Sequence, residues 1–500
     1  MEDKLNQLKS LLAEASDLQH VAHLLEWDQQ TCMPPEGAEA RGQQIGTVKK
    51  LEHLIFTSAE MGRLLDDLTP LAAQLPPDSD TARLIKVTRR RYERKTRVPA
   101  EMVAELAQLA SAAFSVWQQA RPANDFARFR PHLEKIVDYR RRYAELFAPY
   151  EHIYDPLLDE YEPGMKTAEV QAIFDALRPQ QVALIKAIRE KPQVDDSFLH
   201  QHFDEQKQWD FGVEVITKFG YNWRRGRQDK AAHPFTTDFD IKDVRITTRI
   251  LPDYVGSALF STMHECGHAL YDMGVDLSLR RTPLADPDSL ALHESQSRLW
   301  ENLVGRSLPF WEHFYPRLQD YFPEQLGAID LWTFYKGINK VEPSLIRVEA
   351  DEATYNLHIM LRLELEIALM EGSLEVRDLP EAWNNRMQEY LGVTPPDDRD
   401  GVMQDVHWAD GYIGYFYTYA LGNLISLQLW ERINADIPDL SEQIRRGEFT
   451  ALLGWLVENI HRHGSKFNAQ EMVKRVTGST IDPAAYLRYL RTKYGEIYNL

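Results

Sequence analysis

Cysteine, long apolar runs and positive charge are all scarce in this sequence. Cys32 and Cys266 are the only cysteines in 500 residues, which is too few for a disulfide framework and fits a reducing compartment. No uncharged apolar run approaches the ~20 residues that cross a bilayer. The start, Met1-Glu2-Asp3-Lys4-Leu5, leads into a helical pattern rather than a basic and then apolar export signal. A cytoplasmic location is therefore expected. Lysine and arginine number 57 against 76 acidic residues, a formal charge of −19, so neither nucleic acid nor an anionic membrane is expected as the main partner. Gly/Ser/Pro-rich linkers and fixed-period repeats are missing too, so one unit over residues 1–500 is expected.

What is present is mostly helical patterning. Leu5, Leu8, Leu12, Ala15, Ala22 and Leu25 recur at three-, four- and seven-residue spacings up to a break near Pro34-Pro35. A similar stripe, Met102, Leu106, Leu109, Ala113 and Trp117, follows Pro99 at a first-turn position, and Asp482-Pro483 opens a last helix. The basic run from Lys86 to Arg97 reads as a helix face laced with ion pairs rather than an anion site. One stretch departs from this: between Thr236 and Leu251, Val244, Ile246, Thr248 and Ile250 alternate with Asp243, Arg245, Thr247 and Arg249. That is the pattern of a half-buried strand, whose edge could pair with an extended peptide. The fold class expected is predominantly α with a small β-sheet.

Directly after that strand lies His264-Glu265-Cys266-Gly267-His268, an HExxH signature inside an apolar segment from about Tyr254 to Met273. On a helix, His264 and His268 share a face one turn apart, the spacing at which two imidazoles bind one Zn²⁺, and Glu265 stands beside them. Cys266, rotated roughly 200° from His264, points into the core. A catalytic zinc site needs a third ligand and an open position. Tyr271 and Gly274 exclude the metzincin continuation. The next helix, opened by Pro287 and Ser289 and closed near Gly305, offers His293, Glu294 and Glu301. His293 and Glu294 project about 100° apart, so only one faces the metal. Glu294 is the ligand chosen here, with His293 assigned to substrate or to support of the site, and Glu301 to Arg298 or another cation.

The sequence resembles the M32 metallocarboxypeptidases of the Taq carboxypeptidase type. The resemblance rests on His233-Pro234-Phe235 (HPF), Asp243-Val244-Arg245-Ile246-Thr247 (DxRxT), the HExxH, His293-Glu294-Ser295-Gln296 (HES/GQ), Ile346-Arg347-Val348-Glu349-Ala350-Asp351 (IRxxAD) and Gly401 to Trp408 (GxxQDxHW). It implies a mostly helical metallopeptidase with two helical halves flanking a deep groove. It further implies release of single C-terminal residues with broad specificity and terminal proline disfavoured, one Zn²⁺ or Co²⁺ per chain, and a homodimer. By the same resemblance His264, His268 and Glu294 hold the metal and Glu265 is the general base. Tyr417 stands where many relatives are expected to have proline.

Substrates would be peptides with a free C-terminus, and a planar guanidinium suits that carboxylate. Arg245 and Arg347 are the candidates, each with a structural ion pair as its rival; Arg347 is read as helical, among Glu342, Glu349, Asp351 and Glu352. His407, Tyr412 and Tyr415 are candidates for hydrogen bonds to a developing oxyanion. Asp351 or Asp405 is expected to orient a metal-binding imidazole, whereas His461 and His463, on divergent faces, read as structural or surface residues. The competing functions are an endo-acting zinc oligopeptidase and a non-catalytic peptide-binding metalloprotein.

Overall fold

The computed structural model describes residues 2–500, and helices dominate it. The N-terminal helix, Glu2–Thr31, buries Leu8, Leu12, Ala15 and Ala22 of the stripe predicted from spacing, and Trp27 besides, and it ends before Pro34-Pro35. After Pro99 the next predicted helix runs Ala100–Ala120, and the last runs Ala484–Tyr498, with the Asp482 carboxylate accepting from the Ala484 amide at 2.8 Å. No helix among the described residues is long and apolar enough to cross a membrane.

Buried side chains form two apolar cores. The larger surrounds the HExxH helix. The smaller joins Leu8, Leu12, Phe56, Leu65 and Leu68 of the N-terminal helices to Ile241 and Val275. Ile241 lies at the tip of a β-hairpin, so the N-terminal helices grip the sheet through an apolar pin.

The single strand expected between Thr236 and Leu251 is instead two strands. β2 (Thr236–Asp240) and β3 (Asp243–Thr248) pair antiparallel, and β1 (Gln228–Lys230) lies parallel to β3, giving the order β1-β3-β2. The alternating stretch is therefore the central strand and β2 is an edge. Alternation fails at Thr247, which is fully buried, because its hydroxyl accepts from the Phe235 amide at 2.8 Å. A buried polar residue is tolerated when its polar group is hydrogen-bonded in this way.

The HExxH helix, Val255–Gly274, is buried on most of its faces. It crosses the helix that carries Glu294, Leu290–Arg298, which starts where Ser289 accepts from the Leu292 amide. Gly267 makes this crossing possible: a Cβ there would lie 2.6 Å from Ser297 Cα and 2.7 Å from the Gln296 carbonyl oxygen. From the other side, a Cβ on Gly422 of the helix Tyr417–Asp436 would stand 2.7 Å from Glu294 Cγ. The backbones leave no room to yield. Gly267→Ala is expected to destabilise the protein by about 1–3 kcal/mol through overpacking. Gly46→Ala, where nothing lies within 4 Å of the added carbon, should leave stability unchanged or raise it by roughly 0.5–1 kcal/mol. Thermal unfolding of the two variants beside wild type checks the contrast.

Candidate metal centre

The crossing brings three ligand-type side chains together from two helices. His264 Nε2 lies 3.6 Å and His268 Nε2 3.4 Å from Glu294 Oε2, and the three atoms fall within 4.8 Å of one another. Bonds of about 2.0–2.2 Å to a tetrahedral zinc place ligand atoms about 3.3–3.6 Å apart, so the residues present fit such an ion. His293, next to Glu294, is not in this set.

Each imidazole is held differently. His264 Nδ1 donates to Glu301 Oε2 at 2.9 Å, which leaves Nε2 as the lone-pair nitrogen facing the site. Glu301 lies seven residues after Glu294, on the same face and two turns on, inside a π-helical segment, Leu299–Val304, that ends at Gly305. It also takes Arg298 at 3.2 Å and Arg306 at 3.5 Å, so the expected cation pairing is real but forms only part of its role. His268 has a buried Nδ1 with no protein partner. Its ring is instead stacked on His293 at 4.2 Å, and His293 in turn bonds Asp272 at 3.0 Å.

The charges follow this arrangement. Burial disfavours the Glu294 carboxylate, yet Arg298 at 2.7 Å and the two imidazoles hold it well below the usual carboxylate range. Burial also pushes Glu301 up, but Arg298, His264 and Arg306 outweigh it and hold the group at about 2. His268 is pushed down to about 3 by burial and by His293, so it is neutral and ready to coordinate. Burial opposes protonation of His264 too, but Glu294 and Glu301 raise it above the ordinary imidazole value.

Glu265 is buried beside this set, and burial raises its carboxyl above the ordinary value. Its Oε2 lies 2.7 Å from the hydroxyl of Thr236, the first residue of β2. The sheet edge thus fixes the carboxylate next to the ligands.

The remaining candidates divide into two places. His407, Tyr412 and Tyr415 form one aromatic wall, with ring centroids 5.5 Å apart for His407 and Tyr415 and 5.8 Å for the two tyrosines. Arg347 adjoins it, 5.5 Å from the Phe416 ring. Arg347 is not helical as expected but sits on the 3₁₀ turn Arg347–Glu349, because Asp405 and the Tyr355 hydroxyl capture its side chain. Arg245 lies elsewhere: it pairs with Asp243 at 2.9 Å and packs over Trp27 and Phe239, lining a cavity of about 520 Å³.

Neither Asp351 nor Asp405 orients an imidazole of the HExxH. Asp351 caps the turn before the helix Tyr355–Glu371 by accepting from the Glu342, Ala353 and Thr354 amides. Asp405 is consumed by Arg347 and Arg362. Sequence reasoning missed Glu301 as the orienting acid, although its heptad spacing from Glu294 carried the signal. It missed Thr236 and Asp272, for which no local signal exists. His461 is structural as expected, buried and 2.9 Å from Gln296 Oε1. Tyr417 is buried and donates to the Leu158 carbonyl at 2.8 Å.

Comparison with known proteins gives these motifs a common setting. The family model described as carboxypeptidase Taq (M32) metallopeptidase matches residues 7–494. The chain is 43% identical to thermostable carboxypeptidase 1 of Thermus thermophilus, covering 97% of each chain, and 37% identical to carboxypeptidase 1 of Bacillus subtilis, covering 98% of each. The crystal structure of the M32 carboxypeptidase from Deinococcus radiodurans R1 superposes with a TM-score of 0.97 at 42% identity over 100% of both chains. Trypanosoma cruzi metallocarboxypeptidase 1 does so at 0.94 and 31% identity, over 99% of this chain and 100% of that one. This chain belongs to the carboxypeptidase Taq (M32) metallopeptidase family.

Proposed function

We propose that this protein hydrolyses the last peptide bond of peptides with a free C-terminus, releasing single amino acids. The observation that carries the reading is the His264–His268–Glu294 set with the buried Glu265 carboxylate fixed beside it by Thr236. Zinc suits a two-imidazole, one-carboxylate donor set, and cobalt shares its ligand preferences. A divalent ion held by these three residues supplies Lewis-acid polarisation of the scissile carbonyl and makes a water acidic near neutral pH. Glu265 takes the proton from the attacking water and passes it to the leaving amine. Burial has raised its carboxyl, which brings it closer to the proton affinity that a base working near neutral pH requires. Glu301 keeps His264 in the tautomer that coordinates through Nε2.

The names of the relatives support cleavage from the C-terminus. Arg347 fits the terminal carboxylate better than Arg245. Arg347 and Arg362 share the single carboxylate of Asp405, which leaves one positive charge uncompensated beside the aromatic wall, whereas Asp243 neutralises Arg245. Burial pushes His407 down to about 4, so it is a neutral N–H donor suited to a developing oxyanion, with Tyr415 as its neighbour.

Glu265→Gln is expected to retain metal in elemental analysis while turnover falls by roughly 10²–10⁴; near-normal kcat defeats the assignment. Glu301→Gln should weaken metal affinity about 10–100-fold, which competition against a chelator measures. Mass spectrometry of one peptide as free acid and as C-terminal amide decides the reaction class. The free acid should give a ladder shortened one residue at a time and the amide should stay intact. Internal cuts in both indicate an endopeptidase, and no cleavage of either indicates a binding protein.

A further inference from the structure

A second group of metal-ligating side chains lies outside the HExxH site. His20 comes from the N-terminal helix, Asp238 from β2, and Asp286 from the segment ahead of the Glu294 helix. One ligand atom from each falls within 4.8 Å of the others. We propose that these three residues bind a second divalent ion of the zinc class and so tie the N-terminal helix to the catalytic core.

The separations are those of long ion pairs, wide enough for an ion between the groups. His20 Nε2 stands 3.6 Å from Asp238 Oδ2 and 4.0 Å from Asp286 Oδ1. Both exceed the 2.7–2.9 Å of a charge-assisted hydrogen bond, and the shorter equals the wider separation, 3.6 Å, in the HExxH set. The oxygens are also sorted. Asp286 turns Oδ2 to Arg91 at 3.4 Å and leaves Oδ1 toward His20. For Asp238 the neighbouring bases are His20 and, at 3.9 Å from Oδ1, His23. His23 itself is occupied, its Nδ1 lying 3.2 Å from the Asp238 carbonyl oxygen.

Charge points the same way. The three side chains are only 13%, 23% and 15% exposed. Of the nearby arginines, Arg91 is shared between Asp286 at 3.4 Å and Asp288 at 3.2 Å, and Arg90 lies 3.6 Å from Asp288, so neither faces Asp238. Partly buried carboxylates without full compensation are costly, and a divalent ion neutralises both at once. One imidazole and two carboxylates leave positions open to water, a donor set for zinc, cobalt or manganese.

The test strips the full-length chain with chelator, reloads it with Zn²⁺, desalts it and measures zinc per chain by mass spectrometry of the metal. Wild type is expected to hold about two ions and His20→Ala about one. The double variant His264→Ala/His268→Ala, which leaves His20 intact, should still hold about one, and zinc should raise its unfolding temperature. Asp238→Asn added to that double variant should remove both the ion and the temperature shift. The proposal is overturned if wild type saturates at one ion and the His264→Ala/His268→Ala chain binds none, which makes His20 only an ion-pair partner. It is equally overturned if Asp238→Asn leaves the remaining ion in place. Should His20→Ala fail to fold, the double variant with and without Asp238→Asn still decides the question.

Discussion

The close crossing of two helices at Gly267 is the contact on which the site depends. A carboxylate ligand for two imidazoles one turn apart must arrive from outside their own helix, and it must arrive near. The missing side chain at Gly267 lets the backbone at Gln296 and Ser297 close to contact, and Gly422 lets a third helix press on Glu294 from behind. Glu294 is thereby confined on both sides. A ligand so confined loses little freedom when it binds an ion, which is where affinity is gained.

Confinement brings burial, and burial of charge has to be offset. Two carboxylates, Glu294 and Glu301, lie on one face of a single element, with Arg298 between them in sequence and bonded to both. The arginine keeps both acids ionised in a setting that would otherwise protonate them. The imidazoles are supported unequally as a result. His264 has an acid behind it and is made more basic, while His268 has only a stacked ring and stays neutral. One ligand is tuned by hydrogen bonding and the other by packing alone.

The helical fold, the two imidazoles and Glu294 were legible because each is written in local spacing: the 3.6-residue period, the i, i+4 histidines and a capped helix soon after. The family motifs were legible as words but not as contacts. Arg347 and Asp405 belong to different motifs 58 residues apart, and only the folded chain shows them as one ion pair. Of the two acids considered for orienting an imidazole, Asp351 and Asp405, the latter is unavailable for that reason: it lies between two guanidiniums. Thr236, Asp272 and the stacking of His293 were invisible since nothing in their neighbourhoods specifies the distant partner. The small sheet was expected, but its two strands were read as one, because the turn at Ile241-Lys242 interrupts a stretch otherwise rich in strand-forming residues.

That turn gives the small sheet its importance. β2 touches Glu265 through Thr236 at one end, and the hairpin inserts Ile241 into the core of the N-terminal helices at the other. Midway, Asp238 faces His20. Five residues of backbone therefore connect the position of the N-terminal helices to the orientation of the Glu265 carboxylate. A strand is a stiff connector, since its pairing with β3 fixes both register and face. The clustered side chains and Glu265 thus answer to different parts of the molecule: His264, His268 and Glu294 to the helix crossing, the Glu265 carboxylate to the hairpin.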